Sequence, residues 1–442
     1  MSGVKHNPTD DVYTGIPVAE HAQRKPLSTW LLLASLYMTQ FMGVSFFMIA
    51  LVVIMRRQGM PLEQLGGIYL LGMFWVVKFL WAPLVDRFGI KRMGHYRGWL
   101  LLTQTGMVLS LVVISFLDIA TQFGTVLAGC MVLAFFSSTQ DIAADGLACR
   151  LLSRKERGLG SGIQFAGGMV GNILGGGVVL MAYPHIGWKG SMLVMASCTL
   201  VCWVQVLCFR ETTCKTDTLN TSLSLKRLLT FWKVPGHGKW LLLLLVYPAG
   251  CGIAYAISAP MMLDLGWSME HIGLVLNILG SAVAALSSLC TSRLLRWRSR
   301  SSVLITVAAA QVIALPMLAL PLVGPRGAWT MCCAVMAPFI VHGAFITLMS
   351  TMMMDRAAKS SPATDFTLQF SVYSLVRIAT ASGAVALAGL AGYLAVVLMA
   401  WLVACLALLL SLCFNPSLTE GNKKAVTPVF MQDKLQETAR GM

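Results

Sequence analysis

Four charged residues stand inside the apolar segments of this 442-residue chain, where an ionised side chain is costly. Asp141 and Asp145 are four residues apart in the stretch FFSSTQDIAADGLACRLLSRKERG, so a helix presents both carboxylates on one face. The other two are the cations Lys78 and Arg377. Carboxylates beside a cation at such depth can exchange a proton, form a fixed ion pair or meet a charged ligand.

The depth of each charge indicates which of them can meet. Lys78 lies roughly 9 Å from the end of its apolar segment and Asp141 roughly 10 Å from the end of its own, so we expect them to pair. We expect Lys78, Asp141 and Asp145 to act in proton coupling and gating. A fixed buried pair of Lys78 with Asp141, and a clamp of Asp145 with loop charges, are the alternatives. Arg377 lies roughly 16 Å into its segment, and we expect it to face an anion in a central cavity.

The elements that position these charges must be membrane helices. Hydrophobic residues make up 57% of the chain and charged residues 12%, which excludes a soluble globular protein. At about 20 apolar residues per crossing, the length allows roughly a dozen spans. The first apolar run is too long for a secretory signal, so we expect a retained helix. The 12 Cys are expected to be packing residues.

Apolar runs separated by charged breaks predict an all-α polytopic membrane protein with twelve transmembrane helices in two six-helix halves. The spans, numbered 1 to 12, are 30–54, 65–84, 98–117, 125–148, 160–183, 191–209, 240–262, 272–291, 303–322, 329–353, 366–390 and 393–414. The predicted regions are an N-tail (1–29), an N-terminal half (30–209), a central loop (210–239), a C-terminal half (240–414) and a C-tail (415–442).

The basic residues predict the orientation of the chain. Most of the 33 Lys and Arg residues fall in the two tails, the central loop and the loops after spans 2, 4, 8 and 10, so we expect these, and both termini, to be cytoplasmic. The net charge of +15 reflects this topology and attraction to anionic lipid, and we expect no nucleic-acid partner.

The loop between spans 2 and 3 reads APLVDRFGIKRMG, from Ala82 to Gly94. It resembles the loop signature of the major facilitator superfamily, G-x-x-x-D-R-x-G-R-R, with Ala82 in place of the first Gly. The resemblance implies a two-half transporter fold. We expect a cytoplasmic latch whose residues are Asp86, Arg87, Gly89 and Arg150. The loop after span 8 has no Asp and no Gly, so a second latch must differ from the first. An ordinary basic loop is the alternative.

Span 5 carries a stripe of glycines for close helix packing, since Gly167, Gly171 and Gly175 recur every four residues. Small residues at the same spacing in span 8 are the predicted partner: Gly273, Asn277, Ser281 and Ala285.

A narrower resemblance covers residues 140–177, QDIAADGLACRLLSRKERGLGSGIQFAGGMVGNILGGG. This stretch is similar to the QDIA-x-D…ERG-x-G segment of the AmpG-type muropeptide permeases and of the RhtX/FptX group of siderophore permeases. Asp145-Gly146 and the later glycines look more like the siderophore group, which includes the YbtX protein of yersiniabactin clusters. The resemblance implies a permease of the bacterial inner membrane that imports a siderophore or its metal complex, of the pyochelin or yersiniabactin type, by alternating access.

These inferences combine into one expectation. We expect the protein to interact with a small-molecule substrate, protons and membrane lipid. We also expect a monomer, no cofactor, no metal site and no enzymatic activity. The expected cavity residues are Arg377, Gln140, Gln40, Tyr373 and Tyr255. The alternatives are an AmpG-like muropeptide permease and a siderophore exporter.

Overall fold

The computed structural model describes residues 25–57, 68, 70–89, 93–119, 121–211, 226–324 and 327–414. Throughout these ranges the regular elements are helices. Nine of the described helices are long and apolar enough to cross a membrane. The predicted all-α membrane fold is therefore confirmed.

The membrane helices agree with the predicted spans to within several residues at most ends. They are Leu27–Met55 (span 1), His95–Ser115 (span 3), Phe123–Leu151 (span 4), Arg157–Cys208 (spans 5 and 6), His237–Asp264 (span 7), Glu270–Trp297 (span 8), Arg300–Val323 (span 9), Ala328–Arg356 (span 10) and Pro362–Cys413 (spans 11 and 12).

Two of these helices are 52 residues long, and each is interrupted by one glycine. Gly187 has φ 64° in the first and Gly392 has φ 79° in the second, a left-handed backbone that only glycine adopts at low cost. These interruptions fall where the sequence predicts the breaks between spans 5 and 6 and between spans 11 and 12.

Span 2 is a series of short helical pieces: Met73–Val77, the 3₁₀ turn Lys78–Leu80 and Ala82–Arg87. Pro83 has no backbone N–H for a helical hydrogen bond, and its ring crowds the preceding turn. The regular helix is consequently interrupted just before it, at Trp81. Residues 58–67, which include the predicted start of span 2, lie outside the described part of the chain.

An apolar cluster joins the two halves near the end of the bundle predicted to be cytoplasmic. It combines Ala148, Cys149 and Leu152 of the first half with side chains of the second half, which include Trp240, Leu295, Phe345, Met352 and Met353. These side chains are at most 7% exposed, so the halves are in contact at this end. We call this group the inter-half cluster.

The three stripe glycines of span 5 pack on span 1. The prediction that they pack on span 8 was wrong. A β-carbon at Gly167, Gly171 or Gly175 would overlap the main-chain carbonyl oxygen of Ala34, Met38 or Met42 respectively. Backbone meets backbone along this line, which only glycine permits.

Span 5 meets span 8 through other residues. Ser288 donates a hydrogen bond to the carbonyl of Gly162 at 3.2 Å, and the amide of Asn172 donates to Ser281 at 3.1 Å. The stripe therefore fixes spans 1 and 5 together within one half, and polar contacts join span 5 to the other half.

Gly175→Ala should lower stability because its new β-carbon has no space beside Met42, at a cost on the order of 1–3 kcal/mol. Gly177→Ala is the matched control, two residues away with no atom within 4 Å of the added carbon. Thermal unfolding of the two purified variants in detergent measures the difference. Equal melting temperatures would contradict the close packing of spans 1 and 5.

Candidate functional site

A buried group of charges lies where spans 1, 2 and 4 meet. Lys78 forms an ion pair with Asp141, and Asp145 Oδ2 lies 3.8 Å from Lys78 Nζ. The hydroxyl of Tyr37 donates a hydrogen bond to Asp145. Lys78 is fully buried and each acid is 2% exposed. The pairing of Lys78 with Asp141 that their depths predict is present, and we call these three charged residues the charge cluster.

The local structure of each span explains how the cluster forms. Span 4 is a continuous helix, so Asp141 and Asp145 lie one above the other on one face. Lys78 begins the 3₁₀ turn before the interruption at Trp81, which places it beside that face. Removing one partner from a buried ion pair typically costs about 3–5 kcal/mol, because the other charge is left without compensation.

The charge cluster touches the second half of the chain through an aromatic ring. Lys78 Nζ lies 5.0 Å from the centre of the Phe370 ring in span 11, a cation–π contact. Further rings continue from it: Phe370 to Tyr373 at 5.4 Å, Tyr373 to Phe345 at 5.7 Å and Phe345 to His342 at 6.2 Å. We call these four side chains the aromatic row.

Arg377 lies one turn beyond Tyr373 on span 11, about 22 Å along the axis from Pro362. Its side chain lies beside span 7, where a β-carbon added at Gly252 would be 3.6 Å from Arg377 Cγ. Arg377 and Tyr255 are exposed although both lie deep within their spans. Their surroundings reach the other half, because the ring of His342 lies 5.7 Å from that of Phe165 in span 5. Tyr255 therefore lies close to span 5 of the other half, with the ring of His342 between them.

The two glutamines expected in the cavity belong mainly to the contact of spans 1 and 4. The amide of Gln140 donates hydrogen bonds to the carbonyl of Leu36 at 2.9 Å and to Thr39 Oγ1 at 3.3 Å. Within the described residues, the side-chain carbonyl oxygens of Gln40 and Gln140 have no hydrogen-bond partner. Both side chains are at most 3% exposed, so each oxygen is a buried acceptor that a ligand could reach only after the helices around it move.

Asp86 joins the two halves at the predicted cytoplasmic end. Its carboxylate accepts hydrogen bonds from the backbone N–H groups of Ala363 (3.2 Å) and Thr364 (2.7 Å). The hydroxyls of Thr364 and Tyr96 each donate to it as well, at 2.6 Å. The acid of span 2 thus caps the first turn of span 11, where a negative charge is favourable.

A second polar contact between the halves is built from charged pairs. Asp355, at the end of span 10, lies 3.0 Å from Arg157 of the first half and 3.2 Å from Arg300 of the second. Arg300 also donates to the carbonyl of Arg154 at 2.7 Å. This contact consists of ion pairs between side chains, whereas the Asp86 cap uses backbone N–H donors. A difference of this kind was expected because the loop after span 8 has no Asp and no Gly.

The other expected latch residues take local roles. Arg87 lies over the ring of Phe88 at 5.3 Å. A β-carbon at Gly89 would overlap the ring of His95, so the close approach requires glycine here. Arg150 lies 3.8 Å from Glu211. Lys91 and Arg92 of the loop signature lie outside the described residues.

The central loop ends in a short helix, Lys226–Thr230, that is tied to span 11. Arg227 donates two hydrogen bonds to Asp365, at 2.8 and 2.6 Å. These bonds raise the pKa of Arg227 above its usual value.

Several contact residues were missed by reasoning from the sequence. Asp355 and Arg157 carry the signal of charges directly flanking predicted spans, but their pairing depends on how the halves meet. Phe370 carries no individual signal, since an aromatic residue in a membrane span is ordinary. Tyr37 was expected only as a flat apolar surface, and its hydrogen bond to Asp145 was not expected. In the described residues, no three His, Cys, Asp or Glu side chains are grouped as they would be to hold a metal ion.

The fold and the site define a class of protein: a multi-pass membrane transporter with a buried ion cluster and contacts between its halves at one end. Residues 33–381 match the family model described as "Major Facilitator Superfamily", and the chain belongs to this family. The family implied by the loop signature is confirmed.

Among curated proteins, the chain is 32% identical over 242 residues to the "Anhydromuropeptide permease" of Escherichia coli (strain K12), covering 52% of this chain and 49% of that protein. It is 27% identical over 235 residues to "Putative transporter AmpG 3" of Rickettsia typhi, covering 49% of this chain and 56% of that protein. The matches thus span about half the length of these relatives. They support a multi-pass protein of the inner membrane.

Among solved structures, the human organic anion transporter MFSD10 superposes with a TM-score of 0.71 at 16% identity, over 88% of this chain and 100% of that one. At this identity the likeness concerns the fold alone, and it agrees with the family.

Asp86→Ala and Asp355→Ala should each increase opening at the predicted cytoplasmic end, because each removes charge-assisted hydrogen bonds between the halves. Cys149 in the inter-half cluster is a native reporter of this opening, since it is 7% exposed in the closed arrangement. We expect its alkylation by a maleimide, followed by peptide mass spectrometry, to become about tenfold faster.

Two controls accompany this measurement. Glu211→Ala removes an acid at the start of the central loop that accepts hydrogen bonds from the backbone N–H groups of Tyr96 and Arg97 and lies 3.8 Å from Arg150. These contacts do not reach the second half, so Cys149 should react at the wild-type rate. Cys130, fully buried within the first half, should stay unlabelled throughout. Wild-type labelling of Cys149 in both aspartate variants would show that these contacts do not hold the halves together.

Proposed function

We propose that this transporter is a proton-coupled importer of an anionic sugar–peptide solute of the anhydromuropeptide type, working by alternating access. The observation that carries the proposal is the charge cluster: one ammonium and two carboxylates, buried in a membrane protein whose relatives include a protein named for anhydromuropeptide.

The charge balance of the cluster supports coupling to protons. With both acids ionised, the cluster holds one more negative than positive charge, and Tyr37 offers Asp145 a neutral donor. Binding one proton makes the cluster neutral, which is the favourable state in a low-dielectric interior. Asp141 and Asp145 share this role, with Lys78 as the cation that holds whichever acid is ionised.

The contacts between the halves support alternating access. The Asp86 cap, the Asp355 pairs and the inter-half cluster close the predicted cytoplasmic end. Arg377 and Tyr255 are exposed and would face the space between the halves. A solute would enter from the opposite side, reach Arg377 and leave after these three contacts separate.

The expected cavity residues suit a carboxylated sugar–peptide. The guanidinium of Arg377 would bind a carboxylate with two parallel hydrogen bonds. Tyr255 and Tyr373 would supply flat apolar surfaces, and the free carbonyl oxygens of Gln40 and Gln140 would accept hydrogen bonds from hydroxyl or amide groups.

Import of a siderophore of the pyochelin or yersiniabactin type is the second candidate. Two observations favour it: the resemblance of residues 140–177 and the aromatic row beside Arg377, which suits planar aromatic rings. The relative from Escherichia coli is named for anhydromuropeptide and the one from Rickettsia typhi is an AmpG-type transporter by name. The order of the two candidates expected from the sequence is therefore reversed here.

The arrangement in the membrane completes the proposal. The chain would consist of two six-helix halves, 30–209 and 240–414, joined by a cytoplasmic loop. Both termini would be cytoplasmic, with a single copy as the working unit and the Gly187 and Gly392 interruptions at the opposite face.

Uptake assays separate the candidates. Cells that produce this chain and lack their own permeases should accumulate labelled anhydromuropeptide, and an uncoupler should abolish the accumulation. Accumulation of ferric pyochelin or ferric yersiniabactin instead would establish the second candidate. Accumulation only in inside-out vesicles would indicate export and contradict both.

Asp141→Asn should reduce uptake to the level seen with uncoupler, because an amide cannot exchange the proton. Glu270→Gln, an exposed acid in the first turn of the span 8 helix, is the matched control and should transport normally. Correct insertion is checked by size-exclusion chromatography of each variant. Full proton-driven uptake by Asp141→Asn would refute a carrier role for this residue and leave Asp145 to be tested.

A further inference from the structure

We propose that the Lys78–Phe370 contact is a lock against proton leak: it keeps the protonated, substrate-free transporter closed at the predicted cytoplasmic end. The inference rests on the proposed proton coupling and assigns to Phe370 a positioning role in regulating that same site.

The contact joins the charge cluster to the half of the chain that must move. Lys78, Asp141, Asp145 and Tyr37 all belong to the first half. Phe370 belongs to span 11 of the second half, and its ring lies 5.0 Å from Lys78 Nζ. Separation of spans 2 and 11 would break this contact.

The strength of the contact depends on the protons bound by the cluster. When both acids are ionised, their negative charges offset the field of the ammonium at the ring. When one acid is protonated, less of the ammonium charge is offset and its attraction to the ring face is stronger. Protonation therefore strengthens the contact between spans 2 and 11. The protonated transporter is also the state in which opening to the cytoplasm without substrate would dissipate the proton gradient.

The position of Phe370 along span 11 connects the lock to the substrate residues. Phe370, Tyr373 and Arg377 follow one another at three- and four-residue spacing, so they lie along one face of the helix. Tyr373 and Arg377 are the next side chains on that face after the ring. A solute bound at Arg377 would pull on the same face and release the lock.

Phe366 is the matched control within the same helix. Its ring stacks on that of Phe370 at 6.2 Å, and its side chain is 2% exposed. It packs in the inter-half cluster. The cation–π contacts described for Lys78 involve Phe370 and not Phe366. The substitution by leucine is chemically the same at both positions, but only at position 370 does it remove the ring beneath the ammonium.

The test measures proton leak without any substrate. Proteoliposomes that carry an inward pH gradient and an internal pH dye are prepared with the wild type, Phe370→Leu, Phe370→Tyr and Phe366→Leu, each matched for inserted protein. We expect Phe370→Leu to dissipate the gradient about tenfold faster than the wild type. Phe370→Tyr keeps a ring face and should remain tight. Phe366→Leu removes packing from the inter-half cluster but no cation–π contact, so it should leak less than Phe370→Leu.

Two further measurements keep the proposal open to refutation. The leak of Phe370→Leu should disappear when Asp141→Asn and Asp145→Asn are added, whereas leak through misfolded protein would persist. Fluorination of the ring at position 370 weakens the cation–π contact with little change in shape, so leak should rise with each added fluorine.

The outcomes distinguish this proposal from the proposed function. If wild-type uptake responds to the uncoupler and Phe370→Leu is as tight as the wild type, the lock is refuted and proton coupling stands. Equal leak from Phe370→Leu and Phe366→Leu also refutes it, since packing alone would then explain the leak. If the uncoupler does not change wild-type uptake, the proposed proton coupling is refuted, and the lock, which rests on it, is refuted as well.

Discussion

The arrangement of this protein depends on a single buried ammonium. Lys78 has no exposure, and its charge is tolerable because two carboxylates and an aromatic ring surround it. Those neighbours come from spans 4 and 11, so the requirement to compensate one charge brings both against span 2. The 3₁₀ turn at Lys78 and the interruption before Pro83 belong to the same requirement, since they set where the ammonium lies.

The contacts within the first half differ in kind from the contacts between the two halves. Within the first half, the glycines of span 5 allow main-chain contact with span 1, which makes that pair of helices rigid. Between the halves, contacts are polar or made by packed side chains: the Asp86 cap, the Asp355 pairs and the inter-half cluster. Separating them exchanges protein hydrogen bonds for hydrogen bonds to water, at modest net cost. The division favours movement of one half against the other over movement within a half.

The sequence was sufficient for the fold and for the pairing of Lys78 with Asp141, because apolar run length and the depth of a charge are local properties of the chain. It was insufficient for Phe370, Tyr37 and Asp355, whose roles depend on which spans become neighbours. The glycine stripe illustrates the difference: its spacing indicated close packing, but the partner helix was decided by tertiary structure. The two 52-residue helices had the opposite outcome, since each is too long for one crossing and each interruption falls at a predicted loop.

The Asp86 cap has an evolutionary consequence. Two of its donors are backbone N–H groups, at Ala363 and Thr364, which every residue except proline provides. These two hydrogen bonds do not depend on the side chains at positions 363 and 364, and only the Thr364 hydroxyl adds a side-chain donor from span 11. The span 2 side, in contrast, tolerates little besides an acid of this length. Among related sequences, the span 11 side of this contact should accordingly vary more than Asp86 on the span 2 side. Covariation between the two sides should be weak although they are in contact.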